Sequence, residues 1–343
     1  MFYLWVIQVC HMDNFDSLID VISYFDTEIK ALQYLEQKRW NGQPTCPHCS
    51  CSKVYRFSDQ KRFKCASCRE QFTAKVGTIF EDSKIPLRKW YVAIYLVKAH
   101  KKGISSHQLA KDIKVTQKSS WFMLHRIRFG LGENENLDNQ LEGTVELDET
   151  FVGGKNRNRH ADKKVAQSQG RSFKDKTPVM GMLQEEVSEF IERPSKNNPN
   201  RMVMEKIIHS PAIVRCRVVN NTKGVSLKPI IKEHVKEGSI LVSDEWTAYQ
   251  GLGSDYDHRI VDHRVKQYVN DNGDTTNSLE GFWTWLKRSY IGVYHSMSKR
   301  HLQNYVNEVA FRFNTHTMKD GDRLNYAMAF ISGSIKYNRL IGK

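Results

Sequence analysis

The sequence predicts a multidomain α+β chain, with a helical, cysteine-bearing first third followed by a mixed β-sheet domain. Three observations carry this prediction. Two Cys-x-x-Cys pairs stand fifteen residues apart, Cys46/Cys49 and Cys65/Cys68. Residues 87–129 set apolar side chains at helical spacing amid concentrated positive charge. From Glu142 the pattern changes to short alternating strands, two of which end on acids, Asp148 and Asp244, and a third acid, Glu280, follows on a helix.

At 343 residues the chain has room for two or more domains with real cores. A hydrophobic fraction of 40% with 26% charged residues is globular rather than disordered. The net charge of +14 calls for a polyanionic partner. It is unevenly spread: between Lys84 and Leu131 eleven Lys and Arg face the single acid Asp112, a local charge of +10. No run approaches the ~18 apolar residues of a membrane span, which argues against a membrane protein. Phe2–Ile7 is apolar but lacks a basic flank and a small-residue cleavage site, so it does not read as a signal peptide. Met12 is the more natural start, with residues 1–11 an upstream extension. Seven cysteines, four of them in the two pairs, point to metal and a reducing cytoplasm rather than disulfides.

The elements follow in order. Residues 1–40 are an extension and a helical lead-in, with Leu18, Val21, Ile22, Phe25, Ile29, Leu32 and Leu35 at helical spacing. Residues 41–75 form a zinc ribbon: Cys46, Cys49, Cys65 and Cys68 supply four thiolates to one Zn²⁺, because each pair bends into a knuckle offering two ligands. Lys53–Phe57 and Arg62–Lys64 alternate as two strands around the turn Ser58-Asp59-Gln60. Cys51 is a fifth thiol at poorer spacing, and His48 a bystander inside a knuckle. Residues 85–131 read as a helix-turn-helix DNA-binding domain: a helix from Leu87 to His100, a break at Gly103, a short helix capped by Ser105 or Ser106, a turn at Lys114-Val115, and a longer helix from Gln117. Gln117, Lys118, Ser119 and Ser120 lead that last helix toward bases or phosphates, with Arg126 and Arg128 further along; Trp121, Leu124 and Ile127 face its core. An ordinary helical bundle with a solvated face is the plainer alternative. Gly132–Gln140 is a polar, acidic linker.

Residues 142–316 are the sheet domain. Strands are expected at Thr144–Phe151, Val179–Leu183 and Ala212–Val219, then a helix from Val225 to Val235 and a strand Ser239–Ser243. Three strands, a helix and a further strand is the opening order of an RNase H-like mixed β-sheet with flanking helices, in which the first and fourth strands are neighbours. That adjacency would bring Asp148 beside Asp244. On the Glu280 helix, Leu279, Phe282, Trp283, Leu286 and Tyr290 share one face, while Asn277, Glu280, Thr284 and Lys287 share the other. Carboxylates converging from separate elements can hold two Mg²⁺ or Mn²⁺ ions about 3.5–4 Å apart for in-line phosphoryl transfer. Asp148 and Asp244 would share one ion, and Asp148 with Glu280 or Asn277 the other, with Lys287 on a phosphate. Glu146, Glu149 and Glu245 flank the site, and His263 is unassigned. The Gly153-Gly154-Lys155 turn and its basic loop (Arg157, Arg159, His160, Lys163, Lys164) either touches phosphate or is simply solvated. The helix Lys299–Phe313 carries an apolar stripe that closes the core or forms a subunit interface, and residues 317–343 are a C-terminal tail.

Several motifs together resemble one family. Asp148-Glu149-Thr150-Phe151-Val152-Gly153-Gly154-Lys155, Ser243-Asp244-Glu245-Trp246-Thr247-Ala248-Tyr249 and Asn277-Ser278-Leu279-Glu280-Gly281-Phe282-Trp283 are similar to the three acidic motifs of zinc-ribbon insertion-sequence transposases of the ISXO type. Gly77–Lys84, Tyr294-His295 and Phe311-Arg312-Phe313-Asn314 resemble further landmarks, so the likeness runs from about residue 14 to 316. Members often carry His two positions before the Asn, where Thr275 stands here. The third acidic position is also described there as Asn, so Asn277 and Glu280 compete for it. The resemblance implies a DDE-type transposase that cuts element ends and joins them to target double-stranded DNA, nucleoid-associated in the cytoplasm and a homo-oligomer in the DNA complex. A nuclease of the same fold without strand transfer, or an inactive zinc-ribbon regulator, are the alternatives.

Overall fold

The computed structural model describes residues 15–132, 140–153, 160–166, 175–195, 198–244, 246–261 and 275–342. Residues 1–14, most of the linker, the turn from Gly154 to Arg159, Glu245 and His263 lie outside them. The chain forms two compact units, Met1–Asn136 with Thr315–Lys343, and Leu137–Asn314.

In the first unit the lead-in is two helices, α1 (Leu18–Tyr24) and α2 (Glu28–Trp40). Local chemistry sets the break. Ser17 and Asp20 form a reciprocal capping box at the start of α1, and the Thr27 hydroxyl accepts from Lys30 N at 3.3 Å to begin α2 afresh. Val21, Phe25, Leu32 and Leu35 are buried as expected, but Ile22 and Ile29 face solvent, since the break rotates them off the shared stripe. The ribbon has strands β1 (Val54–Arg56), β2 (Arg62–Cys65) and a third, β3 (Gln71–Thr73), antiparallel in that order. At its tight turn Asp59 accepts from the backbone N–H groups of Lys61 and Arg62, and Gln60 takes a left-handed φ of 57°. Helices α3 (Leu87–Ala99), α4 (Ser106–Asp112) and α5 (Gln117–Gly132) follow. Ser105 caps α4 at Gln108 N (3.1 Å), Lys114 turns the chain at φ 51°, and Thr116 caps α5 at Ser119 N (3.2 Å). This is the helix-turn-helix order.

The second unit holds a five-stranded mixed sheet. Its strands are β4 (Thr144–Gly153), β5 (Lys176–Gln184), β8 (Ile213–Val218), β9 (Ile240–Ser243) and β10 (Asp257–Ile260), in spatial order β10-β9-β4-β5-β8. Between β5 and β8 the chain makes a separate antiparallel hairpin, β6 (Val187–Ser195) and β7 (Asn198–Ser210), beyond the strands expected from the sequence. β4 pairs antiparallel with β5 and parallel with β9, the RNase H-like arrangement. Helix α6 (Gly224–His234) covers one face with Leu227 and Ile231 against Val145, Leu147, Met180 and Leu241. Helices α7 (Asn277–Ser289) and α8 (Leu302–Asn314) cover the other, packing Leu279, Phe282, Trp283, Leu286, Val306 and Val309 on Val179, Leu183, Val214 and Cys216. Edge strand β8 is capped by side-chain amides of α8: Gln303 bonds Val218 N and Cys216 O, and Asn314 bonds Val214 N and O. An edge so occupied cannot template another strand.

The segment read as a tail is structured. Helices α9 (Asp320–Ala327) and α10 (Tyr337–Ile341) belong to the first unit, where Ile331 O accepts from Ile79 N and Asn325 accepts from the Tyr34 hydroxyl.

Candidate active site

The parallel pairing sets Leu147 opposite Ser243, so Asp148 and Asp244 stand at the same level on adjacent strands; Asp244 follows the end of β9, but β4 does not end on Asp148 as expected and runs on to Gly153. Alternation along β4 sends Val145 and Leu147 into the core under α6, which turns Glu146 and Asp148 toward α7. There, Leu279, Phe282, Trp283 and Leu286 are buried, while Asn277, Glu280, Thr284 and Lys287 are exposed, as the helical spacing predicts.

Asp148 is held from α7 itself: the Trp283 indole Nε1 donates to its Oδ2 at 2.9 Å. Burial pushes the Asp148 carboxyl up to about 6; the Trp283 bond and the Glu149 N–H pull it down, and the negative charges of Asp244 and Glu280 raise it further. The charges of Asp244 and Glu280 therefore reach Asp148 from a neighbouring strand and from the helix. Asp244 is also fixed locally, its Oδ1 accepting from Trp246 N at 3.0 Å. Oxygen donors whose charges oppose one another suit a hard divalent cation. Among the described residues, however, the four cysteines are the only group of three or more such side chains whose ligand atoms all lie within 4.8 Å. The acids form a more open cluster.

Two supporting residues escaped the sequence reading. Gly181 lies directly opposite Asp148 on β5, and a Cβ there would stand 2.6 Å from Trp283. The missing side chain makes room for the indole that grips Asp148. Glu146, read as a flanking acid, is fully buried, and its Oε2 accepts from Leu279 N in the first turn of α7 at 2.7 Å. The helix has no side-chain cap of its own, so a strand residue caps it from across the core. Burial pushes the Glu146 carboxyl up to about 7, and the Leu279 N–H offsets this only in part. Glu149 points the other way, accepting from the buried Tyr249 hydroxyl. Asn277 opens α7 on the Glu280 side, with its N–H on the Thr275 hydroxyl at 2.8 Å. Lys287 lines a small cleft with Phe151, Val152, Gly153 and Tyr290.

In the first unit, Cys46–Cys68 and Cys49–Cys65 sulfurs lie 3.6 and 3.5 Å apart. Tetrahedral Zn–S bonds of ~2.3 Å imply sulfur separations of roughly 3.8 Å, so the four fit one zinc ion. Cys51 stands aside, with its sulfur 3.8 Å from Lys53 O. At the head of α5, Gln117 and Lys118 are exposed and Ser119 half-buried; Gln117 donates to the Ser106 hydroxyl, and the Lys118 ammonium sits 4.9 Å from the Tyr337 ring centroid. Arg126 and Arg128 differ from expectation. Both are buried, and Arg126 donates to the backbone carbonyls of Ile79, Glu81 and Ile335. Lys98 is buried as well, so the +10 stretch presents less charge to solvent than its sequence suggests. The Arg126 guanidinium ties α5 to the Ile79–Glu81 segment and to Ile335.

With this geometry in place, comparisons with known proteins are informative. A family model described as ISXO2-like transposase domain matches residues 140–314, and one described as transposase zinc-ribbon domain matches residues 26–71. An "Uncharacterized protein in transposable element ISH50" of Halobacterium salinarum is 26% identical over 303 residues, 85% of this chain and 92% of that protein. An "Uncharacterized transposase-like protein" of Haemophilus influenzae is 29% identical over 119 residues, 34% of this chain and 93% of that protein. Among solved structures, the Mos1 transposase paired-end complex with left transposon end is 12% identical, covering 70% of this chain and 81% of that one. Its TM-score of 0.17 is too low to carry an argument.

Proposed function

Because this chain belongs to the ISXO2-like transposase family and is a DDE-type transposase, we propose that Asp148, Asp244 and Glu280 form its reaction centre for cutting and joining DNA. The observation that carries this reading is the half-buried Asp148 carboxyl, gripped by Trp283 of the Glu280 helix and level with Asp244 on the neighbouring strand. Asp148, Asp244 and Glu280 or Asn277 would hold two Mg²⁺ or Mn²⁺ ions, which would supply water activation and neutralisation of the departing 3′ oxygen. Trp283 fixes one oxygen of Asp148 and leaves the other for ligation. Glu146 holds the start of α7, and with it Asn277 and Glu280, against the strand that bears Asp148. Lys287, two turns along the same face, neutralises a phosphate of the bound strand. The freed 3′ hydroxyl attacks a target phosphodiester at the same centre, so no nucleophilic side chain is needed.

The zinc ribbon and the helix-turn-helix bind double-stranded DNA, with Gln117, Lys118 and Ser119 at the leading edge of α5. Joining two ends calls for more than one copy in the complex. Among the described residues no helix is long and apolar enough to cross a membrane, which accords with a nucleoid-associated protein. The test is cleavage of an element-end duplex in Mg²⁺. Asp148→Asn and Asp244→Asn abolish strand cleavage and leave gel-shift binding of the same duplex intact; cleavage retained by either variant refutes the assignment. Comparing Glu280→Gln with Asn277→Ala identifies the helix ligand, since only the true ligand gives the same loss.

A further inference from the structure

Two residues past Asp244 in the chain, at Trp246 and on the side of α6, the second unit has a cleft of about 720 Å³ that the proposed chemistry does not use. That volume lies within the ~300–1,000 Å³ common for pockets that take small organic groups. Its wall is Trp246, whose backbone N–H holds Asp244 Oδ1 and whose indole Nε1 donates to Thr222 O at 3.1 Å. That bond fixes the ring plane, one part of which packs on the core under α6 while the rest lines the cleft. Lys223, Gly224 and Val225 also line it. Val225 is 88% exposed, an apolar side chain left on the rim. Lys223 is exposed and makes no ion pair among the described residues, whereas Lys228, deeper in, donates to Gln250 O at 2.5 Å. Gly224 approaches the Ala248 carbonyl so closely that a Cβ would stand 2.9 Å from it, which keeps the two walls at a fixed spacing.

An oriented aromatic plane, an apolar rim and one free ammonium form a site for a flat heteroaromatic ring attached to an anion. We propose that this cleft takes one unpaired nucleotide of the DNA strand whose phosphodiester lies at Asp244. The base lies along Trp246 and Val225, and its phosphate meets Lys223. The inference rests on the proposed reaction centre, because the DNA-cutting reading is what supplies a strand here. It adds a reason for the scissile strand to be distorted: extracting one base next to the carboxylates turns the adjoining phosphate toward them. Base–aromatic stacking contributes roughly 1–3 kcal/mol per base, so the site predicts about tenfold or greater preference over a variant without it.

The experiment is equilibrium binding of a short oligothymidylate to the full-length, zinc-loaded chain in Ca²⁺ at low salt, where cleavage plays no part. Val225→Asp and Lys223→Glu change exposed side chains and leave the circular dichroism unchanged; each weakens binding about tenfold. Trp246→Ala weakens it similarly, while Trp246→Phe keeps most of it because a ring remains. Asp148→Asn binds like the wild type. Lys236→Glu, a charge reversal at an exposed residue outside the cleft, has a much smaller effect. A second readout is 2-aminopurine placed next to the scissile phosphate of an element-end duplex. Its fluorescence rises on mixing with the wild type and not with Val225→Asp. The proposal is overturned if Val225→Asp and Trp246→Ala bind as the wild type does, or if Lys236→Glu weakens binding as much as the cleft variants. Failure of the reaction-centre reading shows separately, as cleavage surviving in Asp148→Asn.

Discussion

At the scale of single residues, the site depends on two side chains that perform no chemistry and on one side chain that is missing. Gly181 leaves the space into which Trp283 sets its indole. Gly181→Ala forces the ring away from Asp148, because β5 backbone and a rigid aromatic cannot both yield. Overpacking of this kind costs about 1–3 kcal/mol. The expected outcome is a lower melting temperature and a larger fall in cleavage rate than in duplex binding. Glu146 gives a sharper contrast. Glu146→Ala leaves the Leu279 N–H buried and without a partner, a loss of about 1–2 kcal/mol. Glu146→Gln keeps an acceptor oxygen at the same place. Chemical denaturation should therefore find the Ala variant destabilised and the Gln variant near the wild type, with kcat for cleavage following the same order. If Ala and Gln behave alike, Glu146 does not position α7. Neither residue was legible in the sequence. Glu146 reads as one more acid on a strand, Trp283 as part of an apolar stripe, and their bonds span 133 and 135 positions.

At the scale of elements, legibility follows the range of the forces. The strand bearing Asp148 alternates because one face packs under α6, the strand before Asp244 is a short continuous apolar run, and the helix of Glu280 separates polar from apolar at helical spacing. These could be read from local pattern. The hairpin β6–β7 could not, since Val187, Phe190, Met202 and Met204 are exposed and charged residues are interspersed among them. Helix α5 shows a different limit. Charge is countable in sequence, but its direction is not, and Arg126 turns inward to three carbonyls where Lys118 stays outside. The two therefore part company on mutation. Lys118→Ala should reduce the salt dependence of duplex binding by about one unit of log–log slope, with stability unchanged. Arg126→Ala should lower the melting temperature of the first unit because three carbonyls lose their donor. A flattened salt slope in Arg126→Ala with unchanged stability would show that this guanidinium reaches phosphate after all.

At the scale of the whole molecule, the chain builds most of one unit, leaves to build the sheet unit, and returns at Thr315 to complete the first. The return is tied by Lys98 of α3, which is buried and donates to the carbonyl of Asp320 at the start of α9, with the Asp320 carboxylate 4.0 Å away. Burial pulls the Lys98 ammonium down to about 7; Asp320 opposes that shift, Arg323 reinforces it and Asp322 opposes it. The consequence for stability has a definite sign. Below about 7 both folded and unfolded chains carry the proton, and the folded state bears the full desolvation cost. Between about 7 and the ordinary 10.5 the folded lysine is neutral while the unfolded one is still charged. The unfolded state then binds more protons, so stability rises with pH across that window. Lys98→Met, which keeps the length and removes the ionisation, should flatten this rise. The zinc thiolates titrate in the same range, so the quantity to follow is the difference in melting temperature between wild type and variant, both zinc-loaded, from pH 6.5 to about 9.5. A wild-type melting temperature that rises steadily relative to that of the variant as pH rises supports a buried, neutral Lys98 holding the returning segment. A difference constant with pH would mean that Lys98 keeps its ordinary charge, and that the return is secured by the packing of α9 and α10 alone.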